Sequence, residues 1–477
     1  MKPFYKHGNL LDTQLSMLLW RLYSLSTAFF QSFICFGERI KCILLGGGIL
    51  DRMKPVQLFK IIILSLAAIH IIAVNSGATT SDLENGSAPS EIILGMSAAF
   101  SGPSRGLGIE LYRGATAYFE HINQRGGIHG RKIRLKIYDD GYQPNPAVKN
   151  TIKLMLEDQV SLLFGYVGTP TVTRVLPLLK KYQEKQTYLF FPFTGAQPQR
   201  QPPYGEFAFN LRASYRQETE GLVENLLQNG KKRIAVFYQA DAYGRSGWSG
   251  VRRALAKHGL KIVEEATYYR GTKFSSNMRK QVEILKASNP DAIISIGAYA
   301  ACAAFVRDAI DLGLKVPLAN LSFVGSENLL ELLLTDGRPE EDNKYTRWLL
   351  NSQVVPSYED TSIPAVKTYR EYIKQYNPQV PAALLKEPYT PFQYSFVSLE
   401  GFLNAKLMVE ILNRLGDAPV QKGLTDAVLS IKNYDLGINE KVTFGPDRRQ
   451  GLDRIYYTIV KKGRFVPLDD WSNFTEN

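Results

Sequence analysis

From residue 91 onward, short apolar runs alternate with stretches of helical period. EIILGMSA is an apolar run of strand length, and FSGPSRGLG breaks it. Ile109, Tyr112, Ala115, Phe119 and Ile122 then recur at helical spacing, and Asn123 with Gly126-Gly127 ends that helix. KIRLKIYDD (132–140) predicts a strand, AVKNTIKLMLED a helix, SLLFGYV (161–167) a strand, PTVTRVLPLLKKYQE a helix and TYLFFPF (187–193) a strand. Strands separated by helices of this length predict a parallel sheet covered on both faces. Ligands of such sheets sit beyond the carboxyl ends of the strands. That singles out the loops 101–108, 139–142, 168–171 and 193–196.

After NLRASYRQE the pattern starts afresh. RIAVFYQ (233–239) predicts a strand, and past Asp241-Ala242-Tyr243-Gly244 a helix runs to His258. KIVEEATYY is a strand, FSSNMRKQVEILKA a helix, DAIISIGA a strand, AACAAFVRDAIDLG a helix and VPLANLSFVG a strand. The layout repeats that of the first part, so the chain reads as two similar α/β units. A length of 477 residues, too long for one ordinary core, agrees with this. WLLNSQVVP is a further strand-like run, a helix-rich stretch follows to about 415, and DRIYYTIVKKGRFVPL predicts a hairpin turning at Lys462-Gly463.

The loop after SLLFGYV carries the most specific local signal. Thr169 suits a helix N-cap and Pro170 the first helical position, where no backbone donor is needed. The first-turn N–H groups then lack intrahelical partners, a geometry that binds anions such as a carboxylate. An ordinary capped helix with nothing bound reads from the same residues. Asp139-Asp140 resemble paired carboxylates, but adjacent strand residues point to opposite faces, so a strand end and a turn start account for them.

Composition narrows the class. The chain is 45% hydrophobic and 21% charged, as globular proteins are. Its net charge is +12, of which residues 1–78 hold +5 (eight Lys/Arg, three Asp/Glu). The remaining +7 is scattered rather than clustered, which argues against a nucleic-acid footprint. Cys35 and Cys42 lie in the leader, so Cys302, in AYAACAAFV, has no partner in the main body and reads as a small core residue. No phosphate loop, nucleophile elbow, HExxH or metal-ligand spacing occurs, and nothing argues for catalysis or a cofactor. Met53-Lys54-Pro55 and Lys60, the apolar core 61–74 and the small residues Ser76-Gly77-Ala78 have the layout of a secretory signal peptide over 53–78. Residues 1–52 then read as a mis-called start or an N-terminal extension, the alternative being an anchor over 15–36, and 79–90 as a flexible linker.

MSAAFSGPSRGLGIELYRGATAYFEHINQRGGIHGRKIRLKIYDD resembles the opening of the periplasmic substrate-binding proteins of ABC transporters for branched-chain amino acids. GYVGTPT, PFTGA, FYQADAYG, GAY and FVGSE extend the likeness over roughly 91–465. The resemblance implies the type I periplasmic-binding fold: α/β, with two Rossmann-like lobes of parallel sheet joined by a three-segment hinge. It assigns 91–212 and 356–450 to lobe one, and 213–355 and 451–477 to lobe two. Thr169 matches the carboxylate-binding hydroxyl, with Thr171 in the same turn. Phe193, Thr194 and Gly195 are the candidates for the backbone group and hydroxyl beyond PF, the register being open by one. Tyr243 and Tyr299 match aromatics that close over the ligand, and Glu327 matches the acid that takes an ammonium group. Tyr243 also reads as a core aromatic, and Glu327 as a loop or cap acid. Leu107 stands where the family often has an aromatic, PFTGA replaces a hydroxyl pair, and the usual lobe-one disulfide cannot form.

These readings predict a periplasmic, monomeric, non-enzymatic solute-binding protein. It would capture an amino acid or related carboxylate or amide and deliver it to an ABC permease, without cofactor or nucleic acid. The alternative is a ligand sensor feeding a membrane histidine kinase or nucleotide cyclase.

Overall fold

A computed structural model describes residues 91–334, 344–416, 420 and 422–474. The leader, signal-peptide and linker expectations (1–52, 53–78 and 79–90) lie outside the described residues. In chain order the first elements are β1 (Glu91–Ala98), α1 (Arg105–Gln124), β2 (Lys132–Asp139), α2 (Pro144–Ile152), β3 (Leu162–Phe164), α3 (Thr169–Lys181), β4 (Leu189–Phe190) and β5 (Ala208–Phe209). Then come α4 (Tyr215–Gln228), β6 (Ile234–Gln239), α5 (Ala242–Ala256), β7 (Glu265–Tyr268), α6 (Arg279–Ala287), β8 (Ala292–Ile296), α7 (Tyr299–Asp311), β9 (Leu318–Asn320), α8 (Ser326–Leu334) and β10 (Leu349–Gln353). The chain ends with α9 (Pro364–Tyr376), α10 (Phe396–Leu415), α11 (Leu424–Leu429), β11 (Tyr434–Asp435), β12 (Lys441–Val442), β13 (Tyr456–Lys461) and β14 (Arg464–Pro467).

The first five strands form an all-parallel sheet in the order β2-β1-β3-β4-β5. A second sheet runs β14-β13-β10-β9-β8-β6-β7. Its strands β6 to β10 are parallel, and the terminal hairpin joins β10 antiparallel. The hairpin turn is at Lys462 and Gly463, both at positive φ, as two-residue turns require. The strand order steps outward in both directions from β1 in one sheet and from β8 and β6 in the other. Each sheet therefore has a switch point where loops diverge and leave a crevice. Helices cover both sheets because the strands are apolar on both faces: every residue of β3 and of β8 is buried.

The chain passes between the two sheets three times. It leaves β5 for α4, leaves β10 for α9, and returns through residues 449–453 to β13. The first and third crossings lie side by side, with the Asn210 N–H donating to Arg449, Gly451 to Asn210, and Leu452 to Leu211. Helices α9 and α10, which follow the second crossing, pack on α1 of the first unit.

Candidate ligand cleft

The carboxyl end of β3 continues through Tyr166 and Val167 to Gly168, which caps α3. The helix therefore starts one residue earlier than its sequence suggests: Gly168 is the N-cap, Thr169 the first helical residue and Pro170 the second. The cause is local. Gly168 takes φ 101°, a conformation threonine adopts poorly, and a Cβ there would overlap the Tyr142 ring. Thr169, freed from capping, places its Oγ1 2.7 Å from Thr194 Oγ1. Thr194 follows β4, in the turn after Phe193. Reciprocal bonds of 2.8 Å from Phe193 N–H to Tyr166 and 3.1 Å from Gly168 N–H to Phe193 lock this turn to the first.

Gly195 continues that turn. Its carbonyl accepts from Tyr215 N–H at 2.7 Å, and the Tyr215 ring lies where a Cβ on Gly195 would stand. From the other sheet, α5 brings Tyr243, whose N–H is capped by the Asp241 carboxylate at 2.9 Å. Tyr243 packs on Tyr215 at 5.1 Å and on Phe323 at 4.7 Å between ring centroids. Phe323 also meets Phe193 at 5.3 Å and Tyr142 at 5.8 Å. Tyr142, from the loop after β2, accepts from Gln239 Nε2 of the second unit at 3.2 Å. The units are thus closed on one another through an aromatic cluster beside a hydroxyl pair.

Five of the eight sequence-predicted residues meet here: Thr169, Phe193, Thr194, Gly195 and Tyr243. The other three are placed differently. Thr171 turns its hydroxyl back onto the Val167 and Gly168 carbonyls, at 2.6 and 2.8 Å. The Tyr299 hydroxyl accepts the Gly106 N–H across the two units at 3.1 Å. It lines a cavity of about 490 Å³ at the mouth, with Arg105, Lys273, Asn328, Glu331 and Glu387. Glu327 accepts the Phe396 N–H at 3.3 Å, at the start of α10, and lies against the Tyr358 hydroxyl. Burial pushes its carboxyl up to about 8 against the pull of those hydrogen bonds, so it is largely protonated at neutral pH.

Sequence reasoning missed Arg212, Tyr215, Tyr142 and Phe323. Arg212 is fully buried in the first crossing, its guanidinium 4.8 Å from the Phe193 ring centroid. Nη2 donates to Glu218 at 3.4 Å and to the Ser322 hydroxyl, and Nη1 lies 3.5 Å from Glu400. Burial works against its charge, but Glu400 and Glu218 outweigh it and hold its pKa above the ordinary value. Glu400, also buried, is pushed up to about 7. One signal was in the sequence: a charged residue directly after an apolar strand run, in NLRASYRQE. Asp139 and Asp140 prove structural. Asp139 accepts the Phe100, Ser101 and Gly141 N–H groups, and Asp140 accepts the Ser97 hydroxyl and the Tyr142 N–H.

Residues 91–464 match the periplasmic binding protein family. The chain belongs to that family. It is 26% identical over 290 residues to an "Amino acid binding protein" of Pseudomonas aeruginosa, covering 60% of this chain and 71% of the relative. It is 25% identical over 376 residues to "Leu/Ile/Val-binding protein homolog 7" of Brucella abortus, covering 75% and 86%. Among solved structures it is similar to a possible leucine/isoleucine/valine-binding protein from Rhodopirellula baltica, with a TM-score of 0.69 and 27% identity over 82% of this chain and 98% of that one. The two-lobed type I architecture of these periplasmic binding proteins is that of the sheets and crossings described above. This periplasmic binding protein is a substrate-binding protein, not an enzyme. Its family is one of periplasmic, ligand-binding proteins.

Proposed function

We propose that this chain captures an amino acid or a related carboxylate or amide in the cleft between its lobes and delivers it to an ABC permease as a periplasmic monomer. The observation that carries the reading is the Thr169–Thr194 hydroxyl pair at the N-terminus of α3, faced by Tyr215, on which Tyr243 of the opposite lobe packs. A ligand carboxylate there would meet first-turn amides and hydroxyls on lobe one, then be covered by an aromatic of lobe two. Closure would come from contacts that only the closed state makes. The Pseudomonas and Brucella relatives, named for amino-acid binding, favour the same ligand class.

A thermal-shift screen of the purified protein against amino acids, small carboxylates and amides tests this. A ligand at a hundred times its Kd stabilises the native state by about 2.7 kcal/mol, a readily measured shift. No shift from any of the three classes would overturn the reading.

A further inference from the structure

The cleft holds a cluster of buried polar atoms without hydrogen-bond partners: Arg212 Nε, the Tyr215 and Tyr243 hydroxyls, and Gln199 Oε1, while Arg212 Nη1 has only the ion pair with Glu400 at 3.5 Å. Their side chains are contiguous. Arg212 lies over Phe193 and Tyr215, Tyr215 packs on Tyr243, and Gln199 donates to the Thr194 carbonyl at 3.1 Å. All four residues are at most 2% exposed. Unpaired polar atoms at such depth are costly, and clusters of them call for a partner. The Tyr215 hydroxyl also faces the Thr169 and Thr194 hydroxyls. In that threonine pair one hydroxyl donates to the other, which leaves the second proton free.

The inventory is lopsided. Guanidinium nitrogens only donate, and the tyrosine and threonine hydroxyls can all donate; among these atoms the amide oxygen of Gln199 is the single pure acceptor. The carboxylates nearby are engaged. Glu218 accepts the Ser322 N–H at 2.8 Å and the Ser352 hydroxyl at 2.7 Å, besides Arg212. Glu400 faces Arg212 from α10. Glu327 is bound to the Phe396 amide instead. A donor-rich, acceptor-poor corner fits an anion and offers an ammonium group no ionised partner.

Building on the capture reading above, we propose that Arg212, Tyr215, Tyr243 and the Thr169–Thr194 pair seat the carboxylate of a ligand that carries no ammonium group. Arg212 supplies a charge-assisted Nε–H donor, the two tyrosines and the threonine pair supply O–H donors, and the packed rings exclude water.

Titration calorimetry with leucine, 4-methylpentanoate (the same skeleton without the ammonium group), leucinamide (without the carboxylate) and a series of linear and aromatic monocarboxylates tests the seat. The expected result is binding by one or more monocarboxylates at least tenfold tighter than by the matching amino acid. Tyr243→Phe should then weaken that monocarboxylate about tenfold, the loss of a hydrogen bond to a charged group, while leaving the melting temperature of the free protein no lower than the parent's. Arg212→Lys should weaken it further. If that variant fails to fold, Tyr215→Phe and Thr169→Val carry the same test. Leucine or another α-amino acid binding tighter than its ammonium-free counterpart overturns the seat while leaving the capture reading intact. Binding of leucinamide alone does the same. Silence from all of these compounds overturns both.

Discussion

The two halves of the cleft are built on similar strand-end turns and end differently. In lobe one, the turn after β3 passes through Gly168 at φ 101° and exposes the Thr169 hydroxyl to Thr194. In lobe two, the turn after β9 passes through Gly325 at φ 76° into α8, whose first turn carries Glu327. The lobe-one hydroxyls are small and neutral, so they remain in the cleft at little cost. The lobe-two carboxyl, buried and facing no ionised partner, is bonded to the Phe396 amide and held mostly protonated. A motif acid therefore serves a ligand only if the surrounding fold offers it nothing better.

The largest effect separating the halves should come from their glycines. At Gly168 a methyl group would overlap the Tyr142 ring, which is buried and hydrogen-bonded across the lobes. Gly168→Ala should cost about 1–3 kcal/mol in backbone strain and a similar amount from overpacking. At Gly325 the neighbour is the tip of Leu107, 2.6 Å away, a flexible side chain that can yield. Gly325→Ala should therefore cost mainly the backbone term. Urea unfolding of the two variants checks the order, and equal losses would show that the turns are equally constrained.

Next in size is the contrast in binding. Thr169→Val keeps the shape of the side chain and removes its hydrogen bond, and should weaken the preferred ligand about tenfold. Glu327→Gln should leave affinity within about twofold, because the Gln side chain can still accept the Phe396 N–H. Titration calorimetry reads both. A large loss in Glu327→Gln with an α-amino acid would return that residue to the ligand and undo the contrast.

The architecture was largely legible in the sequence because strand and helix periods are set locally. What local patterns could not fix was strand length and side-chain direction. TYLFFPF reads as a seven-residue strand, but Phe191 at φ 50° breaks the ladder and β4 keeps only Leu189 and Phe190. The lobe-one half of the cleft was readable because Thr169, Phe193, Thr194 and Gly195 lie in short turns tied to adjacent parallel strands. Glu327 and Tyr299 are decided by residues far away in sequence, Phe396 and Gly106, which no local pattern reveals. Arg212 was passed over because only the assembled crossings show that Glu218 from α4 and Glu400 from α10 surround it.

A further effect concerns proton linkage. The Glu327 carboxyl titrates near 8 in the folded protein, against an ordinary value of 4.5. Folding therefore takes up a proton between those values, and this residue lowers stability as pH rises through that window. The slope is at most about 1.4 kcal/mol per pH unit for one proton. Glu327→Gln is neutral throughout, so it should match the parent near pH 5 and exceed it increasingly toward pH 8. Thermal unfolding across that range gives the difference directly. A variant that falls behind as pH rises would mean that the carboxylate is ionised and paired in the folded state.

The smallest effect should come from the mouth of the cleft. The Tyr299 hydroxyl accepts the Gly106 N–H from lobe one, so it joins the lobes without belonging to the hydroxyl and aromatic cluster. Tyr299→Phe removes one neutral hydrogen bond, about 1 kcal/mol. That loss falls on the closed form alone, because Tyr299 belongs to lobe two and Gly106 to lobe one. It should shift the open–closed balance about fivefold toward open and weaken every ligand by no more than that factor, whatever its chemistry. Small-angle scattering of the free and ligand-saturated protein reads the shift. A uniform weakening across carboxylates and amides fits a latch, whereas a loss confined to one ligand class would place Tyr299 in the site and extend the ligand to the mouth cavity.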